Sequence, residues 1–351
     1  MSTNDNKVKI NIELENFLSR KINSAENPIL KSHYIKIKDF VLRDGKRIRP
    51  LISLMSYNAI KGNIPDKNFL PVISSELLHA GTLIQDDIMD EDSLRRNEPS
   101  MHKVMQDIFN EEYNIKSSVG DIFKEPSVRF GVSMAILHGN ILFTLGEKCL
   151  LQADIFPDKK KILLEEYNDA LRVVNEGQIL DITFALMQDI DEEDYVEMVC
   201  KKTAGLFEYS AFSGALLAGG NKEQIKILTD VVKSIAIVFQ INDDVLDITD
   251  SSAKGHSLGS DIKKGNMTLP IIFALKNADR KQREILSDVL GSNAASQENI
   301  KKAIEIIKIT GAVEYCKKFA EKEIKKVKAI LDKNINKFKD LEFFFDMIEK
   351  L

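Results

Sequence analysis

Five acids crowd into seven residues: Asp86, Asp87, Asp90, Glu91 and Asp92. Arg95 and Arg96 follow almost at once. Carboxylates this close repel one another unless a cation sits among them. A second acidic stripe lies in QINDDVLDITD, 240–250, where Asp243, Asp247 and Asp250 are spaced by four and three. At helical pitch these three fall within about 60° of one another, and Asp244 points about 100° away. Asp86 and Asp90 repeat the i, i+4 spacing. Apolar sequence precedes each stripe, HAGTLI and IAIVFQI, so both lie at the rim of a buried region. Hard oxygen ligands of this kind suit Mg2+, which is usually held by one or two carboxylates plus substrate phosphates. Guanidinium forks match phosphate oxygens two at a time. The implied chemistry is metal-assisted handling of a diphosphate. A single acidic run is more often a solvated helix end; two D-D-x-x-D runs beside an Arg-Arg pair favour the metal site.

Further basic groups extend the pattern. GKRIRP supplies Lys46, Arg47 and Arg49 at a turn into a helix, where backbone amides also attract anions. Taken alone it reads as a basic surface loop. KKTAG supplies Lys201, Lys202 and Thr203 in a stretch rich in small residues. His79 stands seven residues before Asp86 on an apolar segment, where a lone histidine is more often a satisfied core residue.

The elements that must position these groups read as helices. The chain has 351 residues, 44% of them apolar, with only 17 Gly, 8 Pro and no Trp, a composition that favours helix over sheet. Helical periodicity predicts a helix over about 10–43, another after RDGKRIRP, and a buried one over 69–90 that ends on the first acid cluster. Further helices are expected at 131–153, 160–187, 193–219, 222–250 and 268–277. The last sixty residues are Lys-rich and amphipathic, with Val313, Cys316, Phe319, Ala320, Val327 and Ile330 on one face. Residues 1–10 read as frayed, and 105–130 as an inserted surface segment. No strand alternation stands out. The fold class expected is all-α, one large domain over 1–351. The net charge of −5 excludes a globally basic nucleic-acid binder. Three cysteines, Cys149, Cys200 and Cys316, have neither pairing nor zinc spacing, which points to a reducing, cytoplasmic setting. No apolar run reaches the roughly 18 residues of a spanning helix.

The stretches GKRIRP, LLHAGTLIQDDIMDEDSLRRNEPSMH, EGQILDITF, KKTAGLFEYS, FQINDDVLDITD and GSDIKKGNMTLP, in this order, resemble the trans-isoprenyl diphosphate synthase (polyprenyl synthetase) family. The resemblance spans about residues 30–345. It implies a helical bundle around a deep cavity, with the two Asp-rich motifs facing each other and holding three Mg2+. Asp86, Asp90 and Asp243 would bind metal, supported by Asp87, Asp244 and Asp247. Arg95 and Lys202 would hold an allylic diphosphate. Lys46, Arg49, His79 and Arg96 would form the metal-free pocket for isopentenyl diphosphate. Thr203 and Gln240 would lie near the nascent carbocation, and Gln178 and Asp181 near metal-bound water. A homodimer is implied, with no membrane span beyond a transient contact for product release.

The sequence departs from the family pattern in places. Gly255-His256 and GNMT, with Asn266, stand where lysines are usual, and Gly139-Asn140 stands for Gly-Asp. His102 and Gly131 lie 29 positions apart (131 − 102 = 29), far more than in relatives. A terpene cyclase would not need the second phosphate pocket. A non-catalytic modulating subunit would be expected to lose one Asp motif, and this chain keeps both. Chain length is read from the helix before Asp86. Gly81 and Thr82 stand where short-chain relatives carry an aromatic, with Leu78, Ser75 and Ser74 beyond. That open floor predicts products longer than twenty carbons; geranylgeranyl or farnesyl diphosphate is the alternative, reached if a Phe or Leu of the facing helix, in the region of Phe143, closes the tunnel.

Overall fold

A computed structural model describes residues 3–66, 69–113, 122–187, 189–249, 258–292 and 294–351. The chain forms two compact units: Met1–Leu54 with Ile64–Glu165, and Met55–Asn63 with Glu166–Leu351. In the first unit, helices α1 (Thr3–Ser24), α2 (Pro28–Leu42) and the start of α3 (Ile48–Lys61) precede a 3-10 turn, Leu70–Ile73. Then come α4 (Ser74–Met89), a two-residue hairpin β1 (Leu94–Arg95) and β2 (Glu98–Pro99), α5 (Met101–Glu112) and α6 (Pro126–Leu151). α7 (Pro157–Phe184) leads into the second unit.

That unit continues with α8 (Glu192–Val199), a π-helical turn (Cys200–Ala204), α9 (Gly205–Ala218) and α10 (Lys222–Thr249). It ends with α11 (Ser260–Lys264), α12 (Leu269–Asn277), α13 (Arg280–Val289), α14 (Gln297–Ile309), α15 (Ala312–Asn334) and α16 (Glu342–Glu349). Its core joins Tyr195, Val199, Ile241, Ile248, Leu269 and Cys316. The buried stripe of α15 includes Cys316, Ala320 and Val327, as its periodicity predicts. α10 is long because apolar residues recur at helical spacing from Leu228 to Ile248 and bury one face.

Several expectations need correction. Residues 3–10 are helix rather than frayed: α1 is described from Thr3, Asn6 is buried, and Ile10, Leu14, Phe17 and Leu18 form a buried i, i+4, i+7, i+8 stripe. Lys7 and Lys9 pair with Asp44 and Asp66 and hold that first turn. The single helix over 10–43 is two, because Pro28 occupies the first turn of α2 and the Asn27 side chain accepts the amides of Ile29 and Leu30. Within the expected surface segment at 105–130, residues 105–112 extend α5 and 126–130 begin α6, and most of the described residues are at least partly exposed. Met101 and Met105 of α5 are buried, and Phe130 of α6 packs at a tilt against Phe109 and Tyr113, with ring centroids 5.5 and 5.8 Å away. Residues 114–121 of that segment, and Asp250, Lys254, Gly255 and His256, lie outside the described residues. The helix over 193–219 is interrupted by the π turn. α6 is long and apolar enough to cross a membrane by length and composition, because its charges sit near its ends; the core helix of a folded domain passes the same test.

α6 is pinned to α2 by a histidine pair: His33 Nδ1 lies 2.8 Å from His138 Nε2. One ring donates and the other accepts, so the contact exists with both neutral. Burial first, then His33, lowers His138 from 6.5 to about 4, and burial also lowers His33. A depressed histidine pKa stabilises the fold above the unfolded value, and that contribution is lost as pH falls from about 6.5 toward 4. Between pH 7.5 and pH 5 the loss from His138 alone should be about 2 kcal/mol. Urea midpoints at pH 7.5 and pH 5 measure it; His138→Leu should flatten the difference, and a variant as pH-sensitive as wild type would contradict it.

Candidate active site

The first acid cluster is built where α4 stops. Asp90 caps the helix, and Glu91 takes the left-handed conformation, φ 53°. The Glu91 amide then bonds the Ile88 carbonyl and the Asp92 amide bonds that of Asp87. This is a Schellman termination with glutamate where glycine is usual. The reversal folds the acids back on themselves. The hairpin that follows turns on Arg96 and Asn97, both left-handed at φ 57° and 62°. Two left-handed central residues make a type I′ turn, normally Asn-Gly; strain of this kind collects at functional sites.

The hairpin sends its two arginines to different places. The Arg95 guanidinium contacts Asp87 and lies 3.6 Å from Asp86 and 3.7 Å from Asp92. Arg96 lies against the backbone of Gly45 and donates to the Arg43 carbonyl at 3.2 Å. Burial raises the Asp87 carboxyl to about 6 despite Arg95 beside it. Its Oδ2 is sealed from solvent without a hydrogen-bond partner.

Beside this stands a cationic group. Arg47, left-handed at φ 52°, is fully buried and bonds Glu76 (2.6 Å), Asn11 (2.8 Å) and the Arg43 carbonyl (2.9 Å). Arg47 is therefore a structural cation. One turn on, Arg49 Nη1 lies 3.0 Å from His79 Nε2. Burial first, then the Arg49 charge, holds the imidazole well below its usual range, so His79 is neutral and accepts from Arg49. Burial lowers Arg49 itself to about 10. The charges of Arg49 and Arg96 act on a neutral imidazole, Lys46 is exposed at the adjoining turn, and Glu76 is taken by Arg47. That charge pattern suits an anion.

In the second unit, a Cβ on Gly177 of α7 would stand 2.2 Å from the Lys202 backbone nitrogen, so only glycine lets α7 approach the π turn this closely. The approach lets Lys202 Nζ bond Asp181 at 2.5 Å and leaves Gln178 buried, its Nε2 without a hydrogen-bond partner. π turns of this kind are frequent at functional sites. Thr203 Oγ1 donates to Gln240 Oε1 at 2.9 Å, Gln240 Nε2 donates to Asp244 Oδ1 at 2.9 Å, and Tyr195 donates to Asp244 Oδ2 at 2.6 Å. Burial, then Asp244, pushes the Tyr195 phenol well above its usual range. Asp247 accepts the Asp261 amide at 3.1 Å. Asp244 and Asp247 are both buried, and Asp243 is the most exposed of the three. Asn266 bonds Asp261 at 3.0 Å, closing the short α11.

Among the described residues no cluster of three or more acids, histidines or cysteines forms a ready metal cage. Within the first unit Asp86 and Asp90, at i and i+4, suit Mg2+ that takes part of its shell from a phosphate substrate, and Asp243 in the second unit offers a carboxylate of the same kind.

The space beside Gly81 is occupied by a side chain from α6. A Cβ there would stand 2.5 Å from the Phe143 ring and 3.0 Å from the Gly139 carbonyl. Gly81 is a helix-crossing glycine, and Phe143 of α6 fills the space it leaves. Gln85 bonds Asn140 alongside at 3.2 Å. Leu78 is buried, and Thr82 turns its hydroxyl to the His79 carbonyl. Sequence reasoning also missed Glu76 and Tyr195. A lone charge inside the apolar run VISSELLHA was the available signal for Glu76.

The family model for Polyprenyl synthetase matches residues 32–307. A short chain isoprenyl diphosphate synthase from Methanothermobacter thermautotrophicus is 35% identical over 289 residues, 82% of this chain and 80% of that protein. A geranylgeranyl diphosphate synthase from Sulfolobus acidocaldarius is 30% identical over 322 residues, 89% of either chain. The crystal structure of a geranylgeranyl pyrophosphate synthase from Corynebacterium glutamicum, complexed with isoprenyl diphosphate and magnesium, aligns with a TM-score of 0.85 at 25% identity. It covers 95% of this chain and 94% of that one. The all-α architecture is the isoprenoid-synthase fold. With its motifs, its fold and its relatives in agreement, the chain belongs to the polyprenyl synthetase family of trans-isoprenyl diphosphate synthases and is a prenyltransferase.

Proposed function

We propose that the chain elongates an allylic diphosphate with isopentenyl diphosphate and stops near twenty carbons. The observation that carries the elongating role is the cationic group of Lys46, Arg49, Arg96 and neutral His79, set apart from the acids that engage Arg95. A cyclase has no use for a second anion pocket. Asp86, Asp90 and Asp243 would hold magnesium, with Asp87, Asp244 and Asp247 behind them; three ions remain the family expectation. When bound, the metal supplies Lewis acidity that neutralises the leaving diphosphate.

The chain's own residues do the rest. Arg95 and Lys202 grip the allylic diphosphate as its C–O bond breaks. Thr203 and Gln240 present oxygens to the allylic cation that forms. Lys46, Arg49, His79 and Arg96 hold isopentenyl diphosphate so that its double bond attacks that cation. A proton then leaves the new chain for the departed diphosphate, which carries the charge to accept it. Water must be kept out, or the cation becomes an alcohol.

Product length follows from Phe143. Phe143 packs on Gly81, and in this reading it closes the path of the growing chain in place of an aromatic on α4. The similarity to geranylgeranyl diphosphate synthases supports the same stop. A homodimer would use the outer face of α6, where Ile136 and Leu137 are exposed. The test is product analysis with Mg2+, isopentenyl diphosphate and farnesyl diphosphate. Wild type should give mainly the twenty-carbon diphosphate and Phe143→Ala longer ones. Cyclic hydrocarbons would favour a cyclase, and an unchanged length in Phe143→Ala would remove that residue from the floor.

A further inference from the structure

Asp244 belongs to an Asp-rich motif, yet it accepts two hydrogen bonds from the interior of the second unit. Tyr195, fully buried on α8, donates to Oδ2, and Gln240, one turn earlier on α10, donates to Oδ1. A carboxylate offers only lone pairs. The end of the Gln240 amide that faces it must therefore be the NH2, whichever way the electron-rich and electron-poor ends could otherwise be assigned. That places Gln240 Oε1 on the far side, where the Thr203 hydroxyl donates its single proton to it. Each hydrogen bond of the chain Thr203–Gln240–Asp244–Tyr195 thus runs toward Asp244, and lone pairs are what Thr203 Oγ1 and Gln240 Oε1 have left to offer.

We propose that Asp244 and Tyr195 are positioning residues that set the hydrogen-bond polarity of Gln240 and Thr203, so that these two present oxygen rather than N–H or O–H to the developing cation. The inference rests on the reading that Thr203 and Gln240 face the allylic cation. It moves Asp244 from the support of the metal to the support of the carbocation. Without a negative acceptor behind it, the Gln240 amide is free to turn and present two N–H dipoles, which repel a cation. The π turn belongs to the same device, since it is where Thr203 sits.

Asp244→Asn keeps the shape and removes the obligatory acceptor. Its kcat should fall about 100-fold, the scale of one misdirected dipole at a charged transition state. KM for both diphosphates, the Mg2+ concentration for half-maximal rate, and calorimetric binding of inorganic diphosphate with Mg2+ should stay within about threefold of wild type. Tyr195→Phe, which keeps the packing and loses one donor, should show the same split with a smaller drop in kcat. Loss of magnesium-dependent diphosphate binding in Asp244→Asn, or a wild-type kcat in either variant, overturns the inference while leaving the elongating function in place. A wild type that elongates nothing overturns the functional reading and the inference together.

Discussion

Replacing Asp86 or Asp243 by alanine should lower kcat by at least about a thousandfold, while the fold survives. Neither residue is buried: Asp86 is about a fifth exposed, and Asp243 is the least buried of the described acids of its motif. Neither lies in a core, so truncation should leave the melting temperature nearly unchanged. The loss should fall on the chemical step, because ionisation of the allylic diphosphate needs its developing charge neutralised. Residues that act as one unit are non-additive, so the double variant should be little worse than either single one. Stopped-time assays at saturating substrates measure this. A single variant retaining a tenth of the wild-type rate would remove that residue from the metal site.

Glu76→Ala should produce the largest loss of stability. The Glu76 and Arg47 side chains are 4% and 1% exposed and meet at 2.6 Å. Removing the glutamate strands a guanidinium in the interior, which costs about 3–5 kcal/mol. Glu76 and His79 are one turn apart on α4, and Arg47 and Arg49 are their partners, so the pair also braces the contact that holds Arg49. Surviving protein should show a raised KM for isopentenyl diphosphate with less change toward the allylic substrate. The double substitution Glu76→Leu with Arg47→Met should recover much of the stability, since a buried pair is often replaceable by apolar residues. Urea unfolding checks this; a loss below about 1 kcal/mol in Glu76→Ala would show that Arg47 finds water or another acceptor.

Helices with a sustained apolar period were legible in the sequence. α10 was expected at 222–250 and is found at Lys222–Thr249; α12 and most of α6 and α7 are similarly close. The acid stripes and the arginines beside them were legible because like charges at short spacing demand a partner. What could not be read depends on backbone geometry or on which helix faces which. The Arg96-Asn97 turn carries no glycine, so turn chemistry gave no warning of the hairpin. The π turn at Cys200–Ala204 has no compositional mark. Gly81 was visible as a gap, but Phe143, which fills it, comes from a helix more than fifty positions away. Asn27-Pro28 was visible, and its break was overlooked because the apolar pattern ran across it.

The central claim is that this prenyltransferase joins two diphosphate substrates. It is tested most directly by the rate of inorganic diphosphate release from farnesyl diphosphate in Mg2+, titrated with isopentenyl diphosphate. Release should be negligible with farnesyl diphosphate alone, and should rise and saturate as isopentenyl diphosphate fills the Lys46, Arg49, His79 and Arg96 pocket. Release at full rate without isopentenyl diphosphate, or none with both substrates present, would contradict it.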